Sequence, residues 1–289
     1  MDLNVKLGAT FHQAQDTEHS HDIRCNTPGC TKILGKPRRF FKGIKLMHKV
    51  CPDCIQKDSQ ILHKDHAPIV AEIKTAKEQN NMSTIVVLML SHISTSQVQE
   101  QGCRALTDLS RGFDDNKVSI ATAGGIAAIV NGMKAHRVHP GVQENGCLAL
   151  SNLAANSDNQ VSIAKAGGIV TIVSGMEVHR DHAGVQKYGC WALTSLAFNS
   201  INRVPIANAG GIAAIVSGME VHRDHDGVQK YGCMALNNLS FNSRVALMIE
   251  AAGGVQVLKA ASTYPRAEKA LLNIRNAKNN TKGHRQGLV

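Results

Sequence analysis

A motif that recurs every 43 or 44 residues constrains the fold of this 289-residue chain more than any other feature. Each copy begins with Val-Gln and continues into Gly-Cys-x-Ala-Leu-x-x-Leu, and the copies start at Val98, Val142, Val185 and Val228. A period of about 40 residues is typical of α-solenoids, in which each unit buries its apolar face only against its neighbours. Such a stack presents one continuous concave surface, so the sequence indicates a binding protein rather than an enzyme.

Each repeat predicts three helices. In the unit that ends at residue 197, side-chain oxygens of residues 157–159 cap a short first helix over 160–165, and the Gly-Gly pair at 167–168 ends it. A second helix is predicted from residue 169 to about 178, and a third over 185–197. The apolar stripe of the third helix, which we expect to face the core, consists of Val185, Gly189, Ala192, Leu193 and Leu196.

The repeat sequence resembles that of the armadillo family, through Gln-Val-Ser-Ile-Ala-Lys-Ala-Gly-Gly-Ile followed by Gly-Val-Gln-Lys-Tyr-Gly-Cys-Trp-Ala-Leu-Thr-Ser-Leu-Ala. The likeness covers about two thirds of the chain. It implies an all-α fold, a right-handed armadillo-type solenoid with three helices per repeat. Two-helix HEAT repeats are the nearest alternative, and the Ala-Gly-Gly-Ile turn between two short helices favours the armadillo repeat.

The predicted organisation has five parts. These are a flexible N-terminal segment (1–22), a basic zinc-binding module (23–66), a connecting or capping helix (67–81), an array of one partial, four full and one partial repeat (82–276), and a basic flexible tail (277–289).

In the armadillo family the third helices line the concave groove, where a Trp and an Asn four residues later commonly hold an extended peptide. In this chain the positions three before, at and four after the Trp position fall within one sector of about 60°, away from the core stripe. The resemblance therefore predicts a peptide-binding groove that contains Arg104, Asp108, Asn152, Tyr188, Trp191, Tyr231, Met234, Asn238 and Asn273. Tyr188, Trp191 and Tyr231 form its predicted aromatic centre, either as a binding hot spot or as packing between third helices.

The eight cysteines fall into two sets of four. One set occupies the same helical position in successive repeats and is predicted to act as small buried hydrophobes, at Cys103, Cys147, Cys190 and Cys233. The other set has the spacing C-x4-C-x20-C-x2-C, at Cys25, Cys30, Cys51 and Cys54. In a reducing compartment this spacing indicates one structural Zn²⁺ held by four thiolates, which would stabilise a module too small to hold a core.

The last part of this module, Cys51-Pro-Asp-Cys54 followed by His63-Lys-Asp-His66, weakly resembles the second half of a B-box zinc domain. B-box domains bind two ions, and the likeness implies association with proteins, sometimes in ubiquitin transfer. Between Cys30 and Cys51, His48 is the single further candidate ligand. Whether His48, His63 or His66 holds a second metal ion therefore stays open.

The net charge of +10 is concentrated near the ends of the chain. The stretch from Lys32 to Lys49 contains seven Lys or Arg residues and no acidic residue. Such a patch attracts nucleic acid or an acidic partner, although a solvated basic surface is an equally good interpretation.

Three His-x-x-His loops resemble metal sites, at His136 and His139, His179 and His182, and His222 and His225. Two imidazoles leave a zinc ion two ligands short, and no further ligand recurs at a fixed place. We therefore expect these histidines to cap helices and form turns.

The sequence thus predicts a non-enzymatic scaffold or adaptor that binds an extended or helical segment of a partner protein. Two alternatives remain, a zinc-dependent nucleic-acid-associated protein that uses the basic module and a ubiquitin-pathway adaptor. No nucleophile, base and orienting group can be assembled from the sequence. We also expect a monomer. We expect it in the cytoplasm or nucleus, since there is no apolar leader and the longest apolar run, 85–90, is too short to span a bilayer.

Overall fold

Helices joined by short turns make up the part of the chain that this computed structural model describes, residues 66–112 and 114–286. No strand occurs within those residues, and from Pro68 onward they form one compact unit. The helices are α1 (66–78), α2 (Met82–Ser91), α3 (Ser96–Ser110), α4 (Asp114–Thr122), α5 (Gly125–Ala135), α6 (Pro140–Leu153), α7 (Ser157–Lys165), α8 (Gly168–Val178), α9 (Ala183–Ala197), α10 (Ser200–Asn208), α11 (Gly211–Val221), α12 (Asp226–Ser240), α13 (Ser243–Ala251), α14 (Gly254–Ala260) and α15 (Pro265–Gln286).

The three-helix repeat is confirmed in α4–α6, α7–α9 and α10–α12, with small corrections to the helix ends. The cap of α7 is one residue earlier than predicted, since the Asn156 side chain accepts hydrogen bonds from the backbone N–H groups of Asp158 and Asn159. Gly167 has a φ of 82°, a left-handed conformation that lets α8 begin immediately at Gly168. The two helices therefore follow each other with almost no connecting loop.

The histidines of the His-x-x-His loops have two separate roles, as predicted for caps and turns. The second histidine caps a third helix, and Nδ1 of His182 accepts the backbone N–H of Val185 at 3.3 Å. The first histidine links neighbouring repeats, and Nε2 of His179 donates to the Arg137 carbonyl at 2.9 Å. The same two bonds recur at His136 and His139 and at His222 and His225. Among the described residues, no group of three or more His, Cys, Asp or Glu is arranged to hold a metal ion.

A buried glutamine fixes each third helix to the second helix of its own repeat. Nε2 of Gln186 donates to the carbonyls of Met176 and His179 at 2.7 and 3.0 Å. Its side chain passes so close to Gly218 that a Cβ atom there would lie 2.6 Å from the amide oxygen. The equivalent residues Gln99, Gln143 and Gln229 make the same pair of bonds. The invariant Val-Gln of the motif is therefore part of the frame of the repeat.

The cysteines of the repeats are buried free thiols, as the sequence predicts. Burial raises the pKa of Cys103, Cys190 and Cys233 to about 12, and it raises the pKa of Cys147 as well. These side chains lie in a continuous apolar core with the leucines of the same helices. Because the thiols stay protonated and buried, they contribute to packing and not to redox chemistry.

The C-terminal end of the array differs from the predicted organisation. The partial closing repeat is a three-helix unit, α13–α15, whose second helix has only 7 residues. Its last helix continues to Gln286, so residues 277–286 are helical where the sequence analysis placed a flexible tail. Ala277 is still buried, which explains why the helix does not end at residue 276. At the other end, α1 spans 66–78, and α2 is the second helix of the predicted leading partial repeat.

Candidate binding groove

The third helices α3, α6, α9, α12 and α15 pack side by side, each against the next. Their apolar stripes face the core, so the opposite faces of these helices form one surface across the stack. The residue at the Trp191 position is Arg104 in α3, Leu148 in α6 and Met234 in α12, and each of these side chains is exposed or half-buried. We call this surface of the third helices the groove. Of the predicted groove residues, Asn238 alone is buried.

The aromatic cluster lies in the middle of this surface. The rings of Trp191 and Tyr231 stack with centroids 5.0 Å apart and planes 9° from parallel. The ring of Tyr188 lies 6.3 Å from that of Trp191. The stack joins α9 to α12, yet all three side chains remain partly exposed. The cluster thus combines the two roles that the sequence left open, because it packs repeats together and still offers aromatic surface to a ligand.

The asparagines of the predicted groove are more occupied than the sequence indicates. Nδ2 of Asn238 is buried and donates to the Thr194 carbonyl at 3.1 Å. Nδ2 of Asn273 donates to the Ser240 hydroxyl at 2.9 Å. Nδ2 of Asn152, in contrast, is buried with no hydrogen-bond partner. A role for these amides in holding a peptide backbone stays a prediction, and Asn238 and Asn273 each already use one N–H in a bond to the neighbouring third helix.

The charged groove residues of α3 are paired. Nη2 of Arg104 lies 3.5 Å from the Glu100 carboxylate, and its Nε donates to Asn145 at 3.2 Å. Asp108 accepts a bond of 3.2 Å from Lys77 of α1. Both predicted groove residues therefore lie on the groove, with their charges largely compensated by neighbouring side chains.

One position that the sequence analysis did not single out separates the two halves of the groove. Four residues before the Trp191 position, α3 and α6 carry Glu100 and Glu144, whereas α9 and α12 carry Lys187 and Lys230. The stem of Lys187 lies against Gly227 of the next third helix, where a Cβ atom would be 2.9 Å from its Cδ. The four motifs show this reversal of charge when they are aligned. The sequence does not show that the reversed position lies beside the groove.

The lysines of the second half are held beside aromatic rings. Nζ of Lys187 lies 4.7 Å from the centroid of the Tyr188 ring, and Nζ of Lys230 lies 5.9 Å from that of Tyr231. Among the described residues, neither lysine forms an ion pair. The aromatic centre of the groove is therefore bordered by two ammonium groups that form no ion pair in the described part of the chain, while Asp226, one turn before Lys230, accepts a hydrogen bond from Tyr264.

Two phenylalanines border the groove at the opposite ends of the same helices. Phe198 is the C-cap residue of α9 and Phe241 that of α12, and their side chains are 63% and 58% exposed. The guanidinium of Arg203 lies 5.5 Å from the Phe241 ring, and partial burial lowers the pKa of this arginine. Both exposed rings lie at the C-terminal ends of the helices that carry Trp191 and Met234.

The remaining site predictions lie outside the described residues. These are the zinc ligands Cys25, Cys30, Cys51 and Cys54, the histidines His48 and His63, and the basic stretch from Lys32 to Lys49. His66 is the first residue of α1, but the other predicted ligands of a second ion are among the residues not described. In the described part of the chain no single helix is long and apolar enough to cross a bilayer. Three bent pairs of consecutive helices have the required length and apolar composition when the two helices of a pair are taken together.

Comparison with solved structures identifies the fold. An engineered protein superposes with a TM-score of 0.61 at 27% identity, over 72% of this chain and 85% of its own. A designed armadillo repeat protein in complex with the peptide (KR)4 superposes with a TM-score of 0.58 at 19% identity, over 78% of this chain and 94% of its own. The described array has the armadillo-repeat fold. The armadillo repeats only protein of Plasmodium falciparum matches at 17% identity with a TM-score of 0.58, over 72% of this chain and 97% of its own.

Sequence comparison gives a shorter match. No family model matches the chain. The protein aardvark of Dictyostelium discoideum is 39% identical over 83 residues, which are 26% of this chain and 11% of that protein. The chain therefore spans about a tenth of the length of this curated relative. The armadillo fold rests on the repeat geometry and on the structural matches.

Proposed function

We propose that this chain is a non-enzymatic scaffold that captures an extended segment of a partner protein in the groove. The observation that carries this proposal is the stack of Trp191 on Tyr231, 5.0 Å apart and only partly buried, in the middle of the third-helix surface. Tyr and Trp side chains dominate binding hot spots because they give large contact areas and lose little conformational freedom. A cluster of three such rings is the strongest candidate contact on this surface.

The designed armadillo protein that binds the peptide (KR)4 supports this assignment, because its fold is the same and its ligand is a peptide. Its ligand is basic, whereas the centre of the groove in this chain is bordered by Lys187 and Lys230. The proposal therefore takes over the kind of ligand, an extended peptide, and not its charge.

The described residues favour binding over catalysis. The four thiols of the repeats are the most nucleophilic groups of the array, and burial keeps them protonated and out of contact with solvent. The described histidine loops are used as helix caps and as links between repeats. The groups that most often serve as nucleophile and base thus have structural roles here.

The test is a selection from a displayed library of disordered protein segments, with the wild-type chain as bait. The comparison bait is Tyr188→Ala/Trp191→Ala/Tyr231→Ala, and its helicity is checked by circular dichroism. A matched control, Val170→Ala/Val178→Ala/Val221→Ala, removes exposed apolar side chains from second helices instead. Segments retained by the wild type and the control but lost by the aromatic variant support the proposal. Segments that bind all three baits equally contradict it.

We further propose that the N-terminal module holds one structural Zn²⁺ through Cys25, Cys30, Cys51 and Cys54, which the cysteine spacing supports. Metal analysis of the purified chain should give one zinc per chain, lost in Cys51→Ser/Cys54→Ser and kept in the control Cys190→Ala. Zinc in the double serine variant, or its absence from the wild type, would contradict this ligand set.

A nucleic-acid-associated function is a second candidate, supported by seven basic residues without an acidic one between Lys32 and Lys49. Its signature is binding that weakens steeply as salt is raised, because each phosphate contact releases counterions. Reversal of Lys36, Arg38, Arg39 and Lys42 to glutamate should abolish such binding, while groove variants leave it unchanged.

A further inference from the structure

The half of the groove formed by α9 and α12 has a chemistry of its own. Resting on the proposed capture of an extended segment, we propose that this half selects a segment in which acidic side chains alternate with apolar ones. The proposal concerns the charge and pattern of the ligand, which the armadillo fold does not determine.

Each of these two helices presents a basic, then an aromatic or apolar, then an aromatic side chain along one ridge. In α9 these are Lys187, Trp191 and Phe198, which fall within a sector of about 40° at 100° per residue. At a rise of 1.5 Å per residue, the lysine lies about 6 Å before Trp191 and the phenylalanine about 10 Å after it. In α12 the corresponding residues are Lys230, Met234 and Phe241. Two neighbouring helices thus form a groove with a basic edge and an apolar edge.

An extended peptide that crosses both helices would present its side chains alternately to these edges. Successive side chains of an extended chain point to opposite sides, so one set faces the lysines and the other faces the phenylalanines. The edges therefore require two kinds of side chain in alternation. An apolar side chain that covers Phe198 or Phe241 removes exposed aromatic surface from water.

Charge complementarity decides what faces the basic edge. Lys187 is held by the contact of its stem with Gly227 and by the Tyr188 ring 4.7 Å from its Nζ, and it has no acidic partner among the described residues. A carboxylate of the ligand would supply that partner, whereas a basic side chain would meet two ammonium groups. At the same position the other half carries Glu100, which Arg104 already compensates, and Glu144. The acidic preference therefore belongs to the α9–α12 half.

The test uses the single tryptophan of the chain, which lies in the proposed site. Three octapeptides are titrated against its fluorescence, with leucine alternating with aspartate, lysine or serine, so that Trp191 is the only indole present. Eight extended residues span about 27 Å, enough to cross two helices 8–10 Å apart. We expect the aspartate peptide to bind about tenfold more tightly than the lysine peptide, with an advantage that shrinks as salt is raised.

Charge-reversal variants assign the preference to these lysines. Lys187→Glu/Lys230→Glu installs the residue that α3 and α6 carry at this position, so the repeat accommodates it. The control Lys134→Glu/Lys165→Glu makes the same change in net charge at exposed residues of α5 and α7. We expect the first variant to weaken the aspartate peptide about tenfold and to strengthen the lysine peptide, and the control to leave both almost unchanged.

The outcomes separate this inference from the function on which it rests. Equal or tighter binding of the lysine peptide, or an equal loss in the control, would overturn the acidic preference while leaving capture in the groove intact. If none of the three peptides changes the fluorescence of Trp191, neither the acidic preference nor capture at the aromatic cluster stands.

Discussion

The two halves of the groove are built on the same frame and present different surfaces. In α3 and α6, as in α9 and α12, a buried glutamine bonds two carbonyls of the preceding helix and a cysteine fills the core. Four residues before the Trp191 position, however, glutamate in α3 and α6 is replaced by lysine in α9 and α12. The Trp191 position itself changes from Arg104 and Leu148 to Trp191 and Met234. Residues that contact their own repeat are held constant, and those that face the groove differ between repeats. We therefore expect the ligand preference to depend on the difference between the halves.

The largest effect should come from the shared frame, and it should be equal in both halves. Gln143→Ala and Gln186→Ala each remove one buried and one partly buried hydrogen bond and leave a cavity, so each should lower the free energy of unfolding by about 2–3 kcal/mol. Urea unfolding followed by circular dichroism measures this. Gln97→Ala, at an exposed glutamine of α3, is the control and should cost almost nothing. Losses that differ strongly between the two variants would break the comparison.

Ligand binding should instead distinguish the halves. Trp191→Ala should weaken a peptide selected on the groove by about 2 kcal/mol, roughly 30-fold, because it removes the central aromatic contact. Leu148→Ala changes the same position in the first half and should weaken the same peptide far less. Fluorescence anisotropy of the labelled peptide measures both affinities. Comparable losses would mean that the ligand uses the two halves alike.

The cysteine position should respond to alkaline pH. The folded pKa of Cys190 is raised to about 12 from an ordinary value of 9.0, so the unfolded chain loses its thiol proton first as pH rises. Stability from this thiol is complete below about pH 9 and is lost progressively as pH approaches 12. Near pH 10 each such thiol should already lower the free energy of unfolding by roughly 1 kcal/mol.

Replacement of one cysteine measures how much its thiol contributes to the loss of stability at alkaline pH. Between about pH 7 and pH 10, Cys190→Ala should lose roughly 1 kcal/mol less stability than the wild type, as measured by urea unfolding at both values. Cys103→Ala should behave in the same way, since the buried thiol belongs to the shared frame. An identical pH dependence in the variants and the wild type would show that these thiols do not contribute.

The smallest effect concerns the caps of the third helices. His182→Ala removes the bond to the Val185 amide and should lower the free energy of unfolding by about 0.5–1 kcal/mol. In α3 the cap residue is Thr95, which makes no side-chain bond to the helix, so Thr95→Ala should be nearly neutral. Thermal unfolding measures the difference. A cost at Thr95 equal to that at His182 would mean that the cap bond contributes nothing.

Most of the fold could be predicted from the sequence because the residues that hold each repeat together recur four times. The repeated Gly-Gly pair and the apolar stripe indicated three helices per unit, and the recurring cysteine indicated a buried position. Each pattern depends on contacts within one unit or between identical units, so periodicity is enough to reveal it. The aromatic cluster was also predictable, since Tyr188 and Trp191 lie one turn apart on one helix.

What the sequence did not reveal depends on contacts between unlike residues. Asn238 was predicted as a groove amide, but its bond to the Thr194 carbonyl of the preceding third helix buries it. The helical state of Ala277 is consistent with its burial in α15, which packs against α12 and α13, and no local signal in the sequence indicates that the helix continues to Gln286. Lys187 is a candidate groove residue because its stem contacts Gly227 of the next third helix, and the sequence does not indicate this contact.

Two kinds of link between repeats run in the same direction along the chain. Nε2 of His179 donates to a carbonyl of the preceding loop, at Arg137, and Nδ2 of Asn202 donates to a carbonyl of the preceding first helix, at Gln160. In both series the donor is about 42 residues later in the chain than its acceptor. During synthesis on a ribosome, each acceptor is therefore made before its donor, and the hydrogen bond can form only after the next repeat has emerged. The order in which the polypeptide is translated is the order in which these links can close.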